Sequence, residues 1–175
     1  MRKNNKSIKL LTSMAMMTAI SIVIGIFCKS VLNFGGGLFR VTFENLPIIL
    51  TGIIFGPIAG GTVGLASDLI SYMLSGQVYP PNLLVTFGAI MIGVSSGVMS
   101  KCILKSKGNA QIIASAAVAH IVGSMIIKPI GLYQFYGILV LWRIPLYLVI
   151  APVEIILLCL LLKNKSFAKV IGYTN

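Results

Sequence analysis

The chain has 175 residues, of which 57% are hydrophobic and 10% are charged. Ordinary soluble domains carry roughly 25% charged residues, so this composition excludes that class and predicts one integral membrane domain over residues 1–175. The net charge of +11 would suit a nucleic-acid binder, but the basic residues are divided among the ends of apolar segments and share no single face.

The first predicted helix covers residues 8–32. Its uncharged run, residues 10–28, is longer than the ~7–15 apolar residues of a secretory signal. We therefore expect a retained transmembrane helix. A glycine-rich stretch, residues 33–40, follows it and predicts a loop that changes shape easily, because glycine has few steric restrictions. The glycines of this predicted loop are Gly35, Gly36 and Gly37.

The next two predicted helices are divided at Gly56 and Pro57. Asn45 is expected as the N-cap of helix 2, and helix 3 is expected over residues 58–74. A rival interpretation joins residues 46–67 into one span and gives five helices in all. It places Pro57 inside a helix, where proline breaks the hydrogen-bond ladder. It also puts the later basic clusters on opposite sides, so we favour six helices.

The remaining elements follow from proline and charge positions. Pro80 and Pro81 predict a loop before helix 4, and Pro145 fixes the start of helix 6. The expected ranges are 82–104 for helix 4, 110–127 for helix 5, 128–142 for an outer segment and 143–162 for helix 6.

Most basic residues lie in clusters that the six-helix topology places on one side. The positive-inside rule assigns that side to the cytoplasm, so both termini are expected there. These clusters are Arg2, Lys3, Lys6 and Lys9, then Lys101, Lys105 and Lys107, then Lys163, Lys165 and Lys169. The remaining basic residues fall at the outer ends of the apolar segments, and they are Lys29, Arg40, Lys128 and Arg143.

Aromatic residues are concentrated at the same outer end. Cations beside aromatic rings suit a ligand that combines a flat ring system with anionic groups, through stacking, cation–π contact and charge-assisted hydrogen bonds. An aromatic belt that is denser at one interface is the plainer alternative. The predicted substrate-binding residues are Arg40, Phe43, Gln77, Tyr79, Asn82, Lys128, Tyr133, Tyr136, Trp142 and Arg143.

The acidic residues have structural explanations. Glu44 is expected to pair with Arg40 or to complement the dipole of helix 2. Asp68 and Glu154 lie within apolar helices and are expected to face the bundle interior. His120 lies at a depth similar to that of Glu154, and we hypothesise a hydrogen bond between them.

No motif for catalysis is present in the sequence. It has no phosphate-binding loop, zinc-protease motif or nucleophile elbow, so we expect no enzyme activity, metal or cofactor. Uphill transport would then need energy from another subunit or an ion gradient. A small membrane enzyme acting on lipid head groups and a structural subunit without ligand remain as alternatives.

Helix 1 carries Ala15 and Ala19 one turn apart, on a flat face where another helix can approach. Together with residues 43–47, residues 56–60 and Asp68, these features resemble the substrate-binding S components of energy-coupling factor (ECF) vitamin transporters. The resemblance covers nearly the whole chain. Residues 40–44, Lys128 and residues 141–145 are most similar to the folate-specific members.

The resemblance implies a fold and a mechanism. It implies a six-transmembrane-helix, all-α bundle in the bacterial plasma membrane, which captures folate at the outer face with the glycine-rich loop as a gate. It also implies docking through Ala15 and Ala19 onto a transmembrane coupling subunit with two ATPases. The same family with another anionic vitamin, biotin or pantothenate, is the close alternative.

Overall fold

The computed structural model describes residues 2–34, 39–75, 82–104 and 108–164, and this part of the chain is almost entirely helical. The elements in chain order are α1 (Arg2–Val31), β1 (Asn33–Phe34), β2 (Phe39–Arg40), α2 (Asn45–Phe55), α3 (Pro57–Leu74), α4 (Leu83–Val98), α5 (Asn109–Ala119), α6 (Lys128–Tyr136) and α7 (Arg143–Lys163). Two π-helical segments, Met99–Ile103 and His120–Ile127, continue α4 and α5, and a 3-10 segment, Gly137–Trp142, precedes α7.

The predicted break between helices 2 and 3 is confirmed. Gly56 has φ 102°, a left-handed conformation that favours glycine, and Pro57 begins α3. The two helices then fold back on each other and approach closely at two glycines. A Cβ atom added to Gly60 would lie only 2.8 Å from Gly52 Cα. The single straight helix over residues 46–67, on which the five-helix interpretation depends, is therefore not observed.

Two details of the predicted elements are wrong. Asn45 is not the N-cap of α2: the helix begins at Asn45, Glu44 is the capping residue, and the Asn45 side chain is turned to a contact with α6. The fifth helix does not end at Ile127. It continues without interruption through the π-helical segment into α6, so the predicted outer segment is helical.

Helices α2, α3 and α4 form the most tightly packed part of the bundle. A Cβ on Gly93 of α4 would overlap the Gly60 carbonyl of α3, and a Cβ on Gly52 of α2 would overlap the Ser96 side chain of α4. The interpretation of the spaced glycines as intramolecular packing sites is confirmed. The core around them is apolar and includes Ile48, Ile49, Ile53 and Ile92.

The two ends of the bundle differ. At one end, Gln111 Nε2 donates to Ser100 O (2.7 Å), Ser100 Oγ (2.9 Å) and Leu104 O (2.9 Å), which ties α5 to the last turn before it. At the other end, β1 and β2 form an antiparallel pair with Asn33 opposite Arg40. We call this second end, with the start of α2 and with α6, the hairpin end.

Within the described residues, three helical stretches are long and apolar enough to cross a membrane, namely Ser7–Val31, Leu83–Ile103 and Asn109–Lys163. The stretch Asn45–Phe55 is apolar but shorter.

Candidate ligand-binding site

The basic residues that the charge pattern left at the outer end are gathered at the hairpin end. Lys29 Nζ donates to Ser75 Oγ at 3.1 Å, which joins the end of α1 to the end of α3. Lys128 begins α6 and Arg143 begins α7. Arg40 lies in β2, which contacts α7, while its side chain is outside the described part of the structure.

Lys128 is buried, with only 6% of its surface exposed. Its Nζ donates to Asn45 Oδ1 at 3.1 Å and lies 3.7 Å from Glu44 Oε1. Gly88 of α4 makes room for the lysine stem, because a Cβ there would come 2.8 Å from Lys128 Cγ. A buried ammonium needs an opposite charge and hydrogen bonds, and the start of α2 supplies both.

Glu44 is held from the opposite side by α1. Ser21 Oγ donates to the Glu44 carbonyl at 2.7 Å. A Cβ on Gly25 would lie 2.8 Å from Glu44 Oε2, so the carboxylate packs directly over that glycine. The expected partner of Glu44 was Arg40, whereas the cation observed beside it is Lys128 of α6.

Two buried polar groups close in sequence to this pair lack a hydrogen-bond partner in the described part of the chain. Asn45 is fully buried and Thr42 is 3% exposed, yet neither Asn45 Nδ2 nor Thr42 Oγ1 has a hydrogen-bond partner among the described residues. An unsatisfied buried donor costs about 1–3 kcal/mol. Neither residue was predicted from the sequence to bind a ligand. The signal available was the polar residues Thr42 and Asn45 on either side of Phe43 and Glu44, where an apolar helix begins.

The remaining predicted residues of α6 and α7 occupy the rim of the hairpin end. The Arg143 guanidinium carbon lies 5.7 Å from the centroid of the Tyr136 ring, a cation–π distance. Tyr133 and Trp142 are 57% and 61% exposed, so their rings lie on the bundle surface. Phe43, directly before Glu44, is partly buried.

The Asn82 side chain caps one helix and joins it to another. Its Oδ1 accepts from Leu84 N at 2.9 Å as the N-cap of α4, and its Nδ2 donates to the Gly131 carbonyl of α6. Nearby, Thr86 Oγ1 donates to Asp68 Oδ2 at 2.7 Å across the α3–α4 contact. Asn82 thus fixes α6 against α4. Gln77, Tyr79 and the gate-loop glycines Gly35, Gly36 and Gly37 lie outside the described residues.

Away from the hairpin end, His120 and Glu154 lie next to each other as hypothesised, as a close pair of ionisable groups. His120 Nε2 lies 2.7 Å from Glu154 Oε2, and the two side chains are 1% and 0% exposed. The predicted docking residues Ala15 and Ala19 are exposed on α1.

A family model described as the substrate-specific component of ECF transporters matches residues 9–173, which is nearly the whole chain. The chain belongs to this family of membrane-embedded, non-enzymatic transporter components, and the predicted resemblance is confirmed.

Among particular relatives, the folate transporter FolT of Clostridium novyi (strain NT) is 32% identical over 92 residues, which cover 51% of this chain and 51% of the relative. An uncharacterized MG098 homolog of Mycoplasma pneumoniae is 27% identical over 106 residues, 55% of this chain and 21% of the relative. The matched part of the chain thus spans about half the length of the first curated relative and about a fifth of the second.

Solved structures show the same fold. The S component of a bacterial ECF transporter superposes with a TM-score of 0.65 at 25% identity, covering 91% of this chain and 96% of that one. FolT bound with folic acid gives 0.66 at 18% identity, covering 94% and 93%. The S component for biotin from an ECF-type ABC transporter gives 0.63 at 19% identity, covering 97% and 92%.

Proposed function

We propose that this protein is the folate-binding S component of an ECF-type transporter. The observation that carries the proposal is the buried Lys128 ammonium beside Asn45 and Glu44, at the end of the bundle where Arg143 stands over Tyr136. The 32% identity to a folate transporter supports the same substrate. Folate joins a flat pterin to a benzoyl ring and a dicarboxylate tail, so it needs both polar and cationic partners.

The ligand enters at the hairpin end, which is the outer end of the bundle. Phe43 and Tyr136 are placed beside the charged residues and serve as stacking walls. Arg40, Gln77, Tyr79, Tyr133 and Trp142 complete the proposed site, and Asn82 positions α6 beside it. Gly35, Gly36 and Gly37 fall between β1 and β2 in the sequence, and this segment is proposed to control access to the site.

The membrane arrangement is proposed to have six spans, formed by α1, α2, α3, α4, α5 with its π-helical and α6 continuation, and α7. Two contacts support it. Lys29 at the end of α1 donates to Ser75 at the end of α3, so α1 and α3 end on the same side, as two helices separated by one return span must. Gln111 near the start of α5 donates to Ser100 at the end of the preceding helix, as expected where the chain reverses direction. Both termini then face the cytoplasm of a bacterial cell, where the basic clusters are favoured.

Delivery inward is proposed to use a separate ATP-driven module, a transmembrane coupling subunit with two ATPases. Ala15 and Ala19 are exposed on α1 and leave a flat, apolar face beside Met16, which is 59% exposed. Small residues four apart allow close helix contact inside a membrane, where packing drives association.

The compound that accompanies the protein through purification tests the substrate. We expect a mass spectrum of the released small molecule to give a folate, with the ultraviolet absorption of a pterin. Biotin or pantothenate in its place would contradict folate and leave the family intact. The biotin S component with the same fold makes biotin the natural comparison.

A further inference from the structure

The π-helical segment His120–Ile127 lies between two buried contacts that are made to different helices. At its first residue, His120 Nε2 lies 2.7 Å from Glu154 Oε2 of α7, and the two side chains are 1% and 0% exposed. Directly after its last residue, Lys128 Nζ donates to Asn45 Oδ1 of α2 at 3.1 Å. The segment therefore connects an interior pair of ionisable residues to the lysine of the proposed binding site.

The direction of Lys128 depends on the π-helical register. A Cβ on Gly88 of α4 would lie 2.8 Å from Lys128 Cγ and 3.4 Å from the Gly123 carbonyl oxygen, so Gly123 and Lys128 face the same point of α4. In an α-helix, residues five apart point about 140° away from each other, because each residue turns the helix by about 100°. The i→i+5 hydrogen bonds of a π-helix bring such residues onto one face.

The middle of the segment is packed closely against α4. A Cβ on Gly123 would lie 2.2 Å from Ile92 Cγ1 and 2.9 Å from the Gly88 carbonyl oxygen, so this turn has no room for a side chain. With Gly123 kept against α4, an α-helical segment would turn Lys128 away from Gly88 and from Asn45. The contacts of Lys128 at the start of α2 therefore require the π-helical register.

A π-helical register of this length needs tertiary contacts, because π-helices are rare and occur mostly as single turns inside α-helices. At the start of the segment, that contact is the pair of His120 and Glu154. Ionisable groups in the interior of a membrane protein are costly, so each of the two side chains is stabilised by keeping the other within reach. The contact with α7 thus fixes the rotation of the segment about its own axis.

We propose that His120 and Glu154 are positioning residues for Lys128: their contact holds residues 120–127 in the π-helical register, and this register directs the Lys128 ammonium to the start of α2. The two residues act on a bound ligand only through Lys128. The effect on ligand affinity rests on the proposed function, whereas the effect on the register does not.

Coupling between the two ends of the segment is reciprocal, so a change at the Lys128 end alters the surroundings of His120. His120 is the only histidine in the sequence. After selective labelling with ¹⁵N-histidine, the ring nitrogens of the untagged protein therefore report on this one side chain.

The first experiment records the imidazole ¹⁵N spectrum of the purified full-length protein. Asn45→Ala removes the hydrogen-bond acceptor of Lys128 and keeps the lysine charge, and we expect it to shift the His120 signals. The control is Ser115→Ala, which lies in α5 nearer to His120 in the chain and removes a hydroxyl without a described partner. The control is expected to leave the signals in place. Unchanged signals in Asn45→Ala overturn the proposal.

The second experiment separates positioning from stability. His120→Leu/Glu154→Leu replaces the pair by apolar side chains, which pack together without fixing a direction. We expect this variant to recover most of the wild-type melting temperature and yet to bind folate about tenfold more weakly. His120→Gln/Glu154→Gln keeps two side chains that hydrogen-bond to each other, and we expect folate affinity within about twofold of the wild type. Wild-type affinity in the leucine variant, or no rescue in the glutamine variant, overturns the proposal.

The two experiments also separate this inference from the proposed function. Wild-type protein that does not bind folate contradicts the proposed function, and shifted His120 signals in Asn45→Ala then still support the positioning role. Wild-type protein that binds folate, with equal affinity in the leucine variant, contradicts the positioning role alone.

Discussion

His120 and Glu154 join the π-helical segment to α7 through a contact of 2.7 Å between Nε2 and Oε2 in the interior of the bundle. Ser124 Oγ lies 3.5 Å from the other ring nitrogen, Nδ1. Both polar side chains are buried among helices, so each depends on the other as an electrostatic partner. The pair fixes the helix that leads directly to Lys128.

Glu154→Leu is expected to lower the free energy of unfolding by about 3 kcal/mol, because it leaves His120 buried without its partner. The double variant His120→Leu/Glu154→Leu is expected to recover most of that loss, since it removes both polar groups. Thermal unfolding in detergent of the wild type, Glu154→Leu, His120→Leu and the double variant forms a complete double-mutant cycle. Additive losses in the double variant would show that the two residues do not depend on each other.

Gly93→Ala is expected to destabilise the fold by about 3 kcal/mol or to prevent folding, because its Cβ would overlap the Gly60 backbone. The matched control is Gly108→Ala, where a Cβ meets nothing within 4 Å. Yield and melting temperature of the two variants are compared. Equal stability would contradict the close approach of α3 and α4.

Gln111→Leu is expected to cost about 2 kcal/mol, because Ser100 and Leu104 lose three hydrogen bonds at the end of the helix that contains α4. Denaturation of this variant is measured against Ser115→Ala, a substitution in the same helix that breaks no hydrogen bond to a described residue. If Gln111→Leu lowers the free energy of unfolding no more than the control does, the hydrogen bonds of Gln111 do not stabilise the contact between the two helices.

Helix ends were well predicted from the sequence where local chemistry decides them. Gly56 with Pro57 ends one helix and starts the next, and Arg143 begins α7 as Pro145 indicated. Asn45 was misassigned because its side chain serves a residue far away in the chain, Lys128. Local capping rules contain no information about such a contact.

The candidate site was only partly predictable for the same reason. Charge patterning grouped Lys128 with Arg40 and Arg143, and in the structure all three lie at the hairpin end. The direction of the Lys128 side chain depends on the π-helical segment before it and on Gly88 beside it, which the pattern does not describe. Thr42 was missed because an unsatisfied donor is visible only when its surroundings are known. The contact between His120 and Glu154 was predictable, because buried polar groups in a membrane require partners.

Cys102 tests the proposed orientation. It is an exposed native cysteine next to Lys101 at the end opposite the hairpin. We expect a membrane-impermeant thiol reagent to label it only after cells are permeabilised. Cys102→Ser is the control, because Cys28 is buried and Cys159 is half-buried. Labelling in intact cells would place the basic clusters outside and contradict the topology.

Arg143→Met is expected to weaken folate binding about tenfold or more by removing the cation over Tyr136, while the methionine keeps much of the side-chain volume. Stability is expected to stay within about 1 kcal/mol, because the residue lies at the rim. Wild-type affinity in this variant would remove Arg143 from the site.

Calorimetric titration of the wild-type protein with folate, and then with biotin, tests the central claim most directly. The proposed function predicts a folate dissociation constant of about 1 μM or tighter, equivalent to about −8 kcal/mol, and much weaker binding of biotin. A folate constant weaker than about 1 mM, or tighter binding of biotin, would contradict it.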